Sequence, residues 1–139
     1  MTDEFRMFEW KPEYSVNIRS IDAQHQRLFA IGRELYRAMK EGKGNAAMAP
    51  ILDRLVHYTV EHFTYEENLM RTNGYPGFAN HKVLHDSLVK QVKAYQVEFK
   101  SGRSSLAVPL MQFVKDWLDH HIKKSDAAYA PFLQAKQVA

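Results

Sequence analysis

The sequence predicts an all-α protein, an antiparallel up-down-up-down four-helix bundle preceded by an extended N-terminal arm. Apolar residues recur in steps of three and four along four separate stretches, the spacing of a helix face that packs against other helices. Glycine, proline, asparagine and serine punctuate the chain between those stretches, at residues 42–45, 73–77 and 101–104. Connections this short force neighbouring helices to run antiparallel. With 139 residues, 45% of them hydrophobic and 25% charged, residues 1–139 are expected to form one domain, with no room for a second.

Residues 1–19 carry Trp10, Pro12, Tyr14 and Val16 without helical periodicity, and read as an arm whose apolar anchors cover a seam. The first helix is expected at about 20–41. Ser20 is its expected N-cap, with Asp22 in the first turn, and its seam is Ile21, His25, Leu28, Gly32, Leu35 and Met39. The second, at about 47–72, should open between Ala47 and Pro50, because proline is tolerated where no backbone donor is needed. Its seam is Leu52, Leu55, Thr59, His62, Glu66 and Leu69. The third, at about 77–101, has the most regular register: Phe78, His81, His85, Leu88, Val92, Tyr95 and Phe99. The fourth, at about 105–129, opens with Pro109 in its first turn, carries Leu110, Val114, Trp117 and His121 inward, and should end by Pro131.

Composition removes several function classes. There is no cysteine, which rules out disulfides, thiolate metal sites and cysteine nucleophiles. Asp3, Glu4, Arg6 and Glu9 interrupt the first ten residues, so no signal-peptide core is expected. No run approaches the roughly 18 apolar residues of a membrane span, and the expected location is cytoplasmic. The net charge of +3 comes from Lys and Arg scattered among acidic residues. Without a basic block, no nucleic-acid partner is expected.

The seams carry the chemistry. His62 and Glu66 are four residues apart and share a helix face, in positions where an unpartnered imidazole and carboxylate would be strongly destabilising. His25, His81, His85 and His121 sit on the other seams, whereas His57 and His120 do not and are expected in solvent. One inward histidine is ordinarily a core residue with a hydrogen-bond partner. Five, from all four helices, outnumber the partners that the seams offer, and point to metal. After His121 the regular register falls on Lys124 or Ser125, neither suited to a core. Asp126 lies at i+5, about 140° round a regular helix. Widening by one residue, as in a π-bulge, would turn Asp126 inward and carry Tyr129 and Leu133 with it. Five histidines with Glu66 and Asp126 are too many for one zinc and suit two six-coordinate metals.

These residues resemble the hemerythrins, most closely the single-domain bacterial ones called bacteriohemerythrins. The resemblance runs from Trp10 to about Leu133. It includes Trp10; Ile21, Asp22, Ala23, Gln24 and His25; His62 and Phe63 with Glu66, Glu67 and Met70; His81 and His85; and Trp117 and Leu118 leading to His121, Ile122 and Asp126. It implies a non-heme di-iron centre bridged by an oxide or hydroxide. One iron would be held by His81, His85 and His121, the other by His25 and His62, with Glu66 and Asp126 bridging both. Counting ligands leaves one coordination position open, on the iron with two histidines. The resemblance implies that this position binds dioxygen reversibly, in a carrier, storage or delivery protein and not an enzyme, with an oxygen-consuming enzyme as a further partner. Leu28, Phe63, Trp117, Leu118 and Ile122 are expected to line the ligand pocket. One alternative is a di-iron oxidase or peroxidase. Oxygen-activating bundles commonly use four Glu and two His, a balance this chain does not have, though Glu67 stands beside the site. The other is an O2 or redox sensor module, for which 139 residues leave no output domain.

Overall fold

The computed structural model describes residues 8–42, 44–102 and 107–136. Four helices, α1 (Arg19–Lys40), α2 (Gly44–Thr72), α3 (Phe78–Lys100) and α4 (Ala107–His120), form the bundle. The fourth rod continues through a π-helical turn (His121–Asp126) into α5 (Ala127–Ala135). α1 lies against α2, α2 against α3, and α4 touches both α1 and α3, which closes an up-down-up-down ring. No helix among the described residues is long and apolar enough to cross a membrane.

Several details differ from the sequence reading. α1 begins at Arg19, and Ser20 is not its cap. The junction of arm and helix is held instead by Asp22, whose carboxylate accepts from the Val16 N–H at 2.9 Å and from Ser15 Oγ at 2.5 Å. Ser20 Oγ accepts from the Tyr65 hydroxyl on α2 at 2.8 Å. α2 opens at Gly44, so Pro50 lies inside it. Pro50 is exposed, and the turn ahead of it is held down by buried Met48. Pro131 does not end the fourth rod, which runs on to Ala135. A mid-helix proline costs about 3 kcal/mol, but Tyr129 and Leu133 on either side of it are fully buried. Burying a side chain of leucine size contributes roughly 1.5–3 kcal/mol, so two such anchors offset the proline. The expected start of the fourth helix near residue 105 lies outside the described residues. Lastly, the arm is not extended throughout: Pro12–Tyr14 form one 3-10 turn.

The interior has two apolar clusters. The larger contains Leu28, Phe63, Trp117, Leu118 and Ile122, and the smaller contains Ile21, Met70, Tyr129 and Leu133. Along α1, His25 falls between Ile21 of one cluster and Leu28 of the other. Along α2, Glu66 falls between Phe63 and Met70, and on the fourth rod Asp126 falls between Ile122 and Tyr129. The seam histidines and carboxylates thus make a polar layer between two dry ones.

The arm closes the larger cluster. Trp10, Tyr14 and Phe29 form a ring triad with centroids 4.8–5.6 Å apart, while Phe8 is fully buried against Gly32 of α1. A Cβ at Gly32 would stand 2.7 Å from Phe8 Cδ1, so this helical glycine is required by the ring and not by its backbone angles. Gly32→Leu is therefore expected to destabilise the fold by about 1–3 kcal/mol in urea unfolding, and Phe8→Ala should relieve most of that cost. An equal cost in both backgrounds would show that Phe8 is not what excludes the side chain.

Candidate metal centre

Seven side chains from all four rods meet in the polar layer: His25 from α1, His62 and Glu66 from α2, His81 and His85 from α3, and His121 and Asp126 from the fourth. All are buried. Asp126 reaches the layer because the helix widens at His121–Asp126, where the Ala127 N–H bonds to the carbonyl of Ile122, five residues back. The carboxylates divide their oxygens. Glu66 Oε1 lies 3.2 Å from His85 Nε2, while Oε2 lies 3.3 Å from His25 Nε2 and 3.2 Å from His62 Nε2. Asp126 Oδ1 lies 3.0 Å from His81 Nε2 and 3.1 Å from His121 Nε2, while Oδ2 lies 3.0 Å from His25 Nε2. The layer therefore has two halves that share both carboxylates. Within each half, ligand-type atoms lie within 4.8 Å of one another: His81, His85 and His121 with Glu66 and Asp126, and His25 and His62 with the same two.

These close approaches are not hydrogen bonds. The Nε2 atoms of all five histidines, Glu66 Oε1 and both Asp126 oxygens are buried without a hydrogen-bond partner. Outside the seven residues, only the Thr59 hydroxyl shares that condition among the described residues. Polar atoms left this way are costly, and neutral imidazole nitrogens converging with carboxylate oxygens are the donor set of a borderline metal cation. The residues fit a pair of such ions.

Charge points the same way. Burial acts to lower the pKa of His25, yet Asp126 and Glu66 beside it raise it to about 9. Burial likewise works against ionised Glu66, but His62 and the neighbouring imidazoles hold its carboxyl well below the usual range. Asp126 is lowered despite burial and the charge of Glu66, because His121 and His25 face it. The carboxylates of the layer thus raise the proton affinity of His25 and His85 against the effect of burial.

Behind this layer stand residues that periodicity did not reveal. His62 Nδ1 lies 2.6 Å from Gln24 Oε1, and His85 Nδ1 lies 2.8 Å from Glu67 Oε2. Glu67 is thus turned toward the back of a histidine and away from the shared cavity. Gln24 sits one position off the α1 seam, so only its place beside His25 marked it. The Tyr129 hydroxyl donates to Glu66 Oε2. Burial and then the charge of Glu66 push the phenol well above its ordinary pKa, which keeps it a donor. Its signal was its position three residues after Asp126 in the shifted register. His57 and His120 are exposed, and His57 pairs with Glu61 at 3.0 Å. Leu28, Phe63, Trp117, Leu118 and Ile122 are all buried in one cluster, and Phe63 stacks on His85, on the three-histidine side, at 3.7 Å.

Tyr129→Phe removes the donor to Glu66 and leaves a buried carboxylate oxygen with one partner fewer. We expect a loss of about 1.5–3 kcal/mol in the metal-free protein, read from urea unfolding. No change would mean that the hydroxyl is not bonded to Glu66 in solution.

Comparison with known proteins gives the same picture. The family model described as the Hemerythrin HHE cation binding domain matches residues 16–133. The chain is 35% identical over 120 residues to the bacteriohemerythrin of Pseudomonas aeruginosa, covering 86% of this chain and 77% of the relative. It is 36% identical over 123 residues to that of Methylococcus capsulatus, covering 88% and 93%. A crystal structure of wild-type hemerythrin matches with a TM-score of 0.83 and 35% identity over 89% of this chain and 95% of that one. The match takes in the whole polar layer, from His25 to Asp126, and the chain belongs to the hemerythrin family.

Proposed function

We propose that the chain binds dioxygen reversibly at two iron ions held in the polar layer. The observation that carries this reading is the division of the carboxylate oxygens: Glu66 and Asp126 each offer one oxygen to each half. His81, His85 and His121 with Glu66 Oε1 and Asp126 Oδ1 would hold one ion, and His25 and His62 with Oε2 and Oδ2 the other. The iron pair, when bound, supplies two electrons to dioxygen and recovers them on its release.

The chain's own residues supply the conditions for reversal. Five imidazoles are neutral donors and only two ligands are anionic, a balance that does not favour the high-valent metal states needed to break the O–O bond. Glu67 does not add a third anionic ligand, because its carboxylate faces His85 Nδ1. Gln24 and Glu67 accept from the Nδ1–H groups of His62 and His85, so that the Nε2 lone pairs face inward. Leu28, Phe63, Trp117, Leu118 and Ile122 keep water and protons out, which limits loss of the ligand as hydrogen peroxide. A carrier role, a cytoplasmic location and an oxygen-consuming enzyme as recipient belong to this reading.

The deciding experiment is the absorption spectrum of the deoxygenated iron protein on admission and then removal of O2. Charge-transfer bands that rise and vanish mark a carrier, whereas bands that arise once and decay with product mark an oxidase. Glu66→Ala takes one oxygen from each half and leaves positive charge uncompensated. Iron content should then fall below two per chain, and retention of two irons with O2 binding would exclude the bridging role. Leu118→Ala should cost ~2–5 kcal/mol of stability while iron content and initial O2 binding persist. The oxygenated form should then decay faster and hydrogen peroxide accumulate; an unchanged decay rate would show that Leu118 only fills the core.

A further inference from the structure

The two halves of the site differ in what stands behind them. His85 on the three-histidine side is backed by a carboxylate, with its Nδ1 2.8 Å from Glu67 Oε2. His62 on the other side is backed by a neutral amide, with its Nδ1 2.6 Å from Gln24 Oε1. Both partners accept the Nδ1 proton and so direct Nε2 inward, but only one carries charge. A carboxylate behind an imidazole draws on its proton and makes the opposite nitrogen a more basic ligand, and charged acceptors form stronger hydrogen bonds than neutral ones.

The geometry around Glu67 preserves that effect. Lys82 Nζ approaches Glu67 Oε1 at 3.5 Å, while the other oxygen, Oε2, stays on His85. Lys82 is also shared with Asp86 at 3.1 Å and is about half exposed, so it steadies the carboxylate without pulling it off the ring. The His85 ring is itself fixed from one side by Phe63, stacked at 3.7 Å with planes 1° apart. His25, the other histidine of the second half, has no hydrogen-bond partner on Nδ1 among the described residues. One half therefore has a charged and mechanically fixed support. The other has a neutral support on one histidine and no hydrogen-bond partner behind the second.

Resting on the two-metal reading above, we propose that Glu67 is a positioning residue that makes the half built on His81, His85 and His121 the tighter metal site. That half fills first, and the half built on His25 and His62 fills last and empties first. The half left with an open position is thus the exchangeable one, and a chain short of metal loses ligand binding before it loses the ion that ties α3 to the fourth rod.

The test is a Co(II) titration of the metal-free protein, with proton NMR of the exchangeable ring N–H groups that the paramagnetic ion shifts. In wild type, the first equivalent should bring out resonances of the three-histidine half and the second those of the other half. Glu67→Gln keeps an acceptor and removes the charge. It should weaken the first site about 10–100-fold and make both sets rise together, with an unchanged far-UV circular dichroism spectrum. Gln24→Glu should erase the order from the opposite side, by tightening the half that contains His62. Unchanged order and affinity in Glu67→Gln, or an equal loss in both halves, overturns the role given to Glu67; so does a Gln24→Glu protein that fills in the wild-type order. A wild-type chain that takes up fewer than two Co(II) overturns the two-metal reading itself, and this inference with it.

Discussion

Glu66 and Asp126 each face two ways, and their burial sets the terms for the rest of the chain. Two ionised carboxylates in a layer sealed above and below by apolar clusters cannot be solvated by water, and in a low dielectric their mutual repulsion is large. Only positive charge placed between them makes the arrangement tolerable. The five imidazoles cannot supply it while neutral. A cation in each half, as proposed, would answer both demands at once, since it would take the nitrogen lone pairs and cancel the carboxylate charge. On that reading the bundle serves as a clamp, because donor groups from four separate rods would be satisfied only if all four rods are in place.

That clamp was legible in the sequence because a bundle has a strict period. The positions of His25, His62, Glu66, His81, His85 and His121 follow from counting threes and fours, and Asp126 followed from asking what a core would accept after His121. What stands behind these seven side chains was not legible in the helix pattern. Gln24 and Glu67 lie off the seams, and their roles depend on how far neighbouring helices are rotated and shifted against each other, a tertiary quantity that no single helix pattern contains. The boundaries failed for the same reason. Pro50 is a local start signal and Pro131 a local stop signal, but Met48, Tyr129 and Leu133 are anchored by distant parts of the chain, and that burial outweighs the local preference.

The family comparison and the geometry contribute different things. Similarity over residues 16–133 establishes descent and fold, and says nothing about the direction of any carboxylate oxygen. The contacts of 3.0–3.3 Å do that, because they divide Glu66 and Asp126 between two halves. The unequal supports at His62 and His85 then show that the halves are not equivalent, although both are assembled from histidines and the same two carboxylates.

The π turn connects these features. A regular helix would put Asp126 about 140° from His121, and with it would rotate Tyr129 and Leu133 out of the smaller cluster. The wider turn exchanges ordinary helical bonding for an inward Asp126, a Tyr129 hydroxyl on Glu66 and a buried Leu133. The arm holds both ends of it. Ahead of the turn, the Tyr14 hydroxyl donates to Asp119; beyond it, Gln134 Nε2 donates to the Val16 carbonyl at 2.9 Å. Glu13 and Lys123 span the middle at 2.6 Å, though an ion pair this exposed contributes little by itself. The arm also buries Phe8 and Val16, so its attachment does not depend on those polar contacts alone. It therefore braces, from outside, the π turn on which the position of Asp126 depends.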